Sequence, residues 1–207
     1  MQRAHLRPAS VAEVRSQWRA RVLPTLHGTV LDVGAGDGSS RTHLPADASV
    51  TLLEPHATSA RRLERLAARS AGVRVLPAPA ESIPLPAASV DTAICCLVLC
   101  SVMDQDLALE EIRRVLRPGG RLFVLEHVAA RPGSWACRGQ RLIAPVSRRF
   151  DRGCDPARDT EAALRRSGLR VVDLRRLDAA GPMGVRIPHL EGVLARPDRA
   201  PSASESA

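Results

Sequence analysis

A strand-forming run that ends in closely spaced glycines constrains this chain more than any other feature. Thr29 to Val33 leads straight into Gly34-Ala35-Gly36-Asp37-Gly38. Apolar and β-branched residues favour extended backbone, and glycines at the exit of a strand let the chain turn tightly and let a ligand approach the backbone. In an open α/β sheet such a turn builds one wall of a ligand crevice. The spacing narrows the choice of ligand. A dinucleotide fingerprint wants its third glycine at position 39, which is Ser39, so NAD and FAD are poorly matched. A Walker phosphate loop is excluded, because no Gly-Lys-Ser/Thr follows and every basic residue of the chain is arginine.

The pattern around this turn is that of a doubly wound α/β fold. Ser10 and Glu13 stand at the two positions of a capping box, and Val11, Val14, Trp18 and Val22 recur on one helical face before Pro24 and Gly28. Further strands are predicted over 49–53, 73–76, 90–99, 121–125, 169–174 and 185–195, the last interrupted by Pro188. Helices are predicted from Ala57 to Arg69, from Asp104 to the Pro118-Gly119-Gly120 stop with Leu107, Ile112, Val115 and Leu116 inside, and from Asp159 or Thr160 to Gly168. Alternation of this kind yields a mostly parallel seven-stranded sheet with helices on both faces. Residues 1–27 read as an N-terminal helical segment and 28–196 as one domain. Residues 128–156 carry no clean period and read as an insertion, and 197–207 as a disordered tail.

Composition removes several function classes. The chain has 207 residues and is 44% hydrophobic, enough for one domain with a real core. Its longest apolar run, Ala93 to Met103, is too short to span a bilayer, and the arginines of the first 20 residues have no apolar core behind them as a signal peptide would. A cytoplasmic protein is expected. The net charge of +8 invites an anionic partner, but the arginines are scattered and the four aromatics (Trp18, Phe123, Trp135, Phe150) are too few for base stacking, which argues against nucleic acid. Cys95, Cys96, Cys100, Cys137 and Cys154 form no Cys-x-x-Cys pair, so neither a zinc site nor a disulfide framework is expected. A monomer or homodimer acting on a small molecule is the simplest expectation.

Glu54, 20 residues past Gly34 at the end of the second strand, can accept both hydroxyls of an adenosine ribose and would repel a phosphate. Asp32, just before the turn, adds a carboxylate that suits a positively charged ligand. Val30-Leu31-Asp32-Val33-Gly34-Ala35-Gly36-Asp37-Gly38 resembles the first motif of the class I S-adenosylmethionine-dependent methyltransferases, and Arg117-Pro118-Gly119-Gly120-Arg121-Leu122 resembles their turn into the fifth strand. The resemblance, over residues 28–127, implies a Rossmann-like methyltransferase fold with S-adenosylmethionine as cofactor. It implies cofactor contacts at Asp32, Gly34, Ala35, Gly36, Gly38 and Glu54, adenine contacts at Ala80 and Glu81, and a pocket-lining Leu97. Pro79 stands where many relatives have Asp, which leaves adenine to Glu81 and the backbone.

A narrower resemblance, to the alkyl-thiol methyltransferases (the group called methyltransferase-like protein 7), is carried by Cys96 to Val102, Leu125-Glu126-His127-Val128, Pro132-Gly133-Ser134-Trp135, Gly153-Cys154, Arg158-Asp159-Thr160 and Pro188-His189-Leu190-Glu191-Gly192. It implies methylation of a thiol sulfur. Its animal members carry a membrane-anchoring stretch before the domain and more aromatics in the insertion, where this chain keeps Trp135 and Gln140. An O- or C-methyltransferase acting on a quinone or secondary metabolite is the alternative enzyme, and an inactive cofactor-binding partner subunit the alternative of another class. A thiol nucleophile must be ionised, so a base is sought. His127, just beyond the fifth strand and with Glu126 beside it as an orienting group, is the first candidate and His189 the second. Cys154 is a candidate lining of the acceptor pocket, and Trp135 a candidate lid.

Overall fold

The computed structural model describes residues 9–181 and 185–198. The expected tail lies, from residue 199 onward, outside the described residues. Seven strands form one sheet in the order β3-β2-β1-β4-β5-β7-β6: β1 (Thr29–Val33), β2 (Ser49–Leu53), β3 (Val73–Leu76), β4 (Val90–Cys96), β5 (Leu116–His127), β6 (Arg170–Ala180) and β7 (Arg186–Ala195). The first five run parallel, and β7 slots between β5 and β6 antiparallel to both. β1 has a burial run of Val30, Leu31, Asp32 and Val33, the mark of a strand covered on both faces.

Helices cover the two faces: α1 (Val11–Val22), α2 (Ala57–Ala67), α3 (Gln105–Val115), α4 (Trp135–Phe150) and α5 (Thr160–Arg166). One core joins α3 and α5 to the sheet through Leu109, Ile112, Val115, Leu164 and Leu122; the other joins α1 and α2 through Trp18, Val22, Leu63, Val50 and Leu52. The α1 capping box is formed, Ser10 Oγ accepting from Glu13 N and Glu13 Oε2 from Ser10 N.

Three expectations are corrected. β4 ends at Cys96, because Leu97 turns the chain with φ +62°. Leu107 faces solvent, since the inward stripe of α3 is Ala108, Leu109, Ile112 and Val115. Leu116 opens β5, pairing with Val90 before a register shift, instead of closing the helix. The insertion is largely helical. Ser134 caps α4 by accepting from Cys137 N, and the helix buries only Cys137 and Ala144 while Leu142, Ile143, Val146 and Phe150 stand exposed on one flank, so no inward period marks it.

Strand order reverses between β1 and β4, and in open α/β sheets the crevice outside the carboxyl ends at that switch point is where ligands bind. A cavity of about 790 Å³ opens there.

Candidate active site

One half of the cavity is made by the loop after β1 and the tips of β2 and β3. Gly34, Gly36 and Gly38 all have positive φ, yet only two of them face the cavity. A Cβ on Gly36 would meet nothing nearer than the Gly34 carbonyl at 3.8 Å, so the backbone lies open to a ligand there. A Cβ on Gly34 would strike Val98, 2.7 Å away, and one on Gly38 would strike Leu63 at 2.8 Å. Gly38 therefore packs the loop onto α2 and does not line the cavity. Glu54 is buried and clamps the loop: Oε2 accepts from Gly36 N at 2.9 Å and Oε1 from His56 N at 3.0 Å. Two of the four lone-pair positions of a carboxylate remain for ligand hydroxyls.

Asp32 also departs from its expected place. It lies beneath the loop, does not line the cavity, and has one carboxylate oxygen without a partner among the described residues. Burial pushes its pKa up to about 6 against a hydrogen bond from Ser40. Ala35, Ala80, Glu81 and Leu97 line the cavity. Glu81 does more than line it, because Oε1 accepts from Met103 N at 2.7 Å and Asp104 N at 3.2 Å and so anchors the approach to α3. The open backbone, the buried carboxylate and the carboxylates of Asp32 and Asp37 around the same loop suit a nucleoside with a cationic end, not a phosphate.

The other half is built where β4 and β5 end. Glu126 is fully buried and accepts from the N–H groups of Val98 (3.0 Å), Leu99 (3.0 Å) and Cys100 (3.4 Å). It thus holds the turn after β4 and does not orient His127; burial, opposed by these hydrogen bonds, raises its pKa to about 7. That turn carries Cys100. The loop after α4 is strapped to it through Asp155 N, which donates to Cys100 O at 2.9 Å, and this brings Cys154 alongside. His127 Nδ1 lies 3.5 Å from Cys154 Sγ and 4.0 Å from Cys100 Sγ, and the two sulfurs are 3.6 Å apart.

Charge organises this cluster. The Cys100 thiol stabilises a thiolate at Cys154, and with His127 it outweighs burial and draws the Cys154 pKa well below the ordinary thiol value. Burial works against a charged His127, but Cys154, Glu126 and Asp151 outweigh it and raise its pKa. His189 is corrected as a candidate base. It pairs with His127 across β5 and β7, ring centroids 4.5 Å apart, but it is fully buried, does not line the cavity, and its Nδ1 lies 2.8 Å from the Ile187 carbonyl. Burial and the neighbouring His127 lower its pKa to about 4. Trp135 is 84% exposed beneath Arg138 and is no part of the cavity wall.

Several wall residues escape sequence reasoning. Arg15 and Arg19 reach the cavity from α1, and Asp151, Arg152 and Gly153 from the loop after α4. Arg19 Nε is buried without a hydrogen-bond partner among the described residues, which gives the glycine loop a cation facing it. The i, i+4 spacing of the two arginines on a capped helix was the only local signal. Nothing in the spacing of Cys100, His127 and Cys154 announces that the fold gathers them.

A family profile described as a methyltransferase domain matches residues 31–124. The thiol S-methyltransferase TMT1B of Homo sapiens is 35% identical over 151 residues, covering 71% of this chain and 62% of its own length. The thiol S-methyltransferase TMT1A of Homo sapiens is 32% identical over 168 residues, 79% of this chain and 69% of its own length. The chain thus spans about two thirds of these curated relatives. Among solved structures, the 1,6-didemethyltoxoflavin-N1-methyltransferase of Burkholderia thailandensis, with bound 1,6-didemethyltoxoflavin and S-adenosylhomocysteine, superposes with a TM-score of 0.66 at 20% identity. The superposition covers 90% of this chain and 80% of that one, and at this identity it speaks for the fold.

Proposed function

Because the chain belongs to the S-adenosylmethionine-dependent methyltransferases, we propose that it transfers the methyl group to the sulfur of a small thiol. The observation that carries this reading is the cluster of Cys100, His127 and Cys154 on the cavity wall supplied by β4 and β5, in the same cavity as the glycine loop. The two similar thiol S-methyltransferases support it. When bound, S-adenosylmethionine supplies an electrophilic methyl group on a sulfonium, which a nucleophile displaces in line.

The chain's own residues divide the work. Glu54 takes the ribose hydroxyls with its free lone pairs, the open backbone at Gly34 to Gly36 carries the amino-acid end, and Ala80 and Glu81 flank the adenine. Arg15 and Arg19 pair with the carboxylate of that end. At the other wall, His127 Nδ1 takes the proton of the acceptor thiol and leaves a thiolate beside Leu97 and Val98. Holding the reactants in this alignment is worth about 7–11 kcal/mol of the barrier, and a positioned base a further factor of about 10²–10⁴.

The test is incubation of the purified protein with S-adenosylmethionine and a panel of alkyl thiols, phenols and quinones, with products identified by mass spectrometry. S-Methyl thioethers are expected, and exclusive O- or C-methylation would overturn the thiol assignment. His127→Ala, checked for folding by circular dichroism, should slow turnover by at least about a hundredfold and remove the acid limb of its pH profile. That limb lies above the ordinary histidine pKa in the wild type, because Cys154, Glu126 and Asp151 raise it against burial. An unchanged rate and profile would remove His127 as the base.

A further inference from the structure

Cys100, His127 and Cys154 stand in an arrangement that proton transfer alone does not require. Each presents one donor atom, all three line the cavity, and the donor atoms lie within 4.8 Å of one another. A zinc ion with bonds of about 2.3 Å to sulfur and 2.0–2.1 Å to imidazole nitrogen, at tetrahedral angles, separates two sulfurs by about 3.8 Å and a sulfur from a nitrogen by about 3.5 Å. The edges here are 3.6 Å between the sulfurs and 3.5 and 4.0 Å from sulfur to Nδ1. The ligands come from three separate elements, each independently fixed. Glu126 pins the Cys100 turn, Thr160 Oγ1 donates to the His127 carbonyl, and Cys154 N donates to Asp151 O. The site is therefore organised before any ion arrives.

We propose that Cys100 Sγ, His127 Nδ1 and Cys154 Sγ form a three-ligand site for Zn²⁺ whose fourth position opens into the cavity. Two thiolates and one imidazole are the donor set that a borderline-soft d¹⁰ ion prefers, and three protein ligands with an open position are the pattern of reactive rather than structural zinc. Binding displaces the protons carried by the two sulfurs and by Nδ1 into solvent. At the open position a thiol displaces coordinated water, its S–H proton leaves to solvent, and a metal–sulfur bond forms to the resulting thiolate. In the zinc-loaded protein the metal ionises the acceptor, and His127 serves as a ligand in place of its role as base. The use of the fourth position rests on the thiol reading, whereas ion binding at the three residues does not.

The experiment is a titration of the full chain, stripped with chelator and kept reduced with a phosphine, using Co²⁺ as a spectroscopic stand-in and Zn²⁺ as competitor. One Co²⁺ per chain is expected, with a thiolate-to-metal band in the near ultraviolet and tetrahedral bands in the visible, all abolished by equimolar Zn²⁺. Cys154→Ser and Cys100→Ser should each cut the thiolate-to-metal band to about half, because one of the two thiolates remains. Either change, or His127→Asn, should weaken affinity by at least about tenfold, the least that loss of even an outer-shell partner costs. Cys137→Ser, on α4 and outside both the cavity wall and the three-ligand group, should bind as the wild type does. The proposal is overturned if the folded wild type takes up no Co²⁺ at tenfold excess, or if the band keeps its full intensity in both Cys154→Ser and Cys100→Ser. It is also overturned if Cys100 and Cys154 are recovered as a disulfide and bind nothing after reduction. Adding an alkyl thiol to the Co²⁺ form separates the two readings: a shifted band supports both, and an unshifted one leaves the ion site standing while counting against the thiol acceptor.

Discussion

Gly36 and Gly38 share a backbone conformation and differ in what surrounds them, which separates binding from stability residue by residue. Alanine at either position meets the left-handed penalty of about 1–2 kcal/mol. At Gly36 that is the whole structural cost, because the space beyond is open. Gly36→Ala should therefore lower Tm by only a few degrees while sharply weakening S-adenosylhomocysteine binding in calorimetry. Gly38→Ala adds a collision with the buried Leu63 and should lose clearly more stability than Gly36→Ala. The reverse order would misplace both residues. Buried acids set a second residue-scale expectation. Asp32 has a pKa of about 6 against 3.8 unfolded and Glu126 about 7 against 4.5, so each destabilises the fold progressively as pH rises from the lower to the higher value. His189, lowered to about 4, acts in the opposite direction as pH falls below 6.5. The gap in unfolding free energy between Asp32→Asn and the wild type, measured by denaturant titration, should accordingly shift in the variant's favour between pH 4 and 6, by up to about 3 kcal/mol. A gap independent of pH would contradict the assignment.

At the scale of elements, α1 is both a structural cover and a wall of the cavity. Its capping box closes the first turn of the helix that carries Arg15 and, further along, Arg19. Ser10→Ala should cost about 1 kcal/mol, or about 2–4 °C in Tm. Fraying of that turn should also weaken S-adenosylhomocysteine binding by about two- to fivefold, the equivalent of 0.5–1 kcal/mol. Isothermal titration against the wild type checks this, and unaltered affinity would remove α1 from the site. Elements differed in how well they could be read. β1, β2 and β3 begin and end where their runs of strand-forming residues do. The end of β4 was not legible, because Cys96 and Leu99 are equally apolar and the stop is a left-handed turn at Leu97 held by Glu126, a residue of the next strand. α4 was hidden for another reason: its apolar side chains point away from the core, and periodicity reports burial only where a helix packs.

Across the whole molecule, Glu191 of β7 ties α1 to the antiparallel edge of the sheet. Its buried carboxylate accepts from Arg21 of α1 at 2.8 Å and from Arg175 of β6. Both arginines are more than half exposed, so solvent screening holds the contribution to about 1 kcal/mol. Glu191→Gln should lower Tm by about 2–4 °C at low salt, and by less in 1 M sodium chloride, where the screening length falls to about 3 Å. A loss that salt does not reduce would point to packing in place of charge. The antiparallel insertion of β7 has a consequence for the site as well, since it sets His189 opposite His127 and closes the far side of the cluster.

By itself the sequence determined the alternation of strands and helices, the glycine loop after β1 and the carboxylate at the tip of β2. Each of these depends on residues within a few positions of one another: side-chain periodicity, positive φ and a cap act over one or two turns of chain. Only the tertiary structure decided the opposite wall. Cys100, His127 and Cys154 are 27 residues apart in each step, and no local preference encodes a distance of that kind. They meet because the strand order sets β4 beside β5 and because a buried carboxylate and a strapped loop aim three short side chains at one point. The same long-range packing withdrew Asp32, Gly38 and His189 from the cavity, since strand register and helix contacts, not residue type, determine which side of a buried element a group faces.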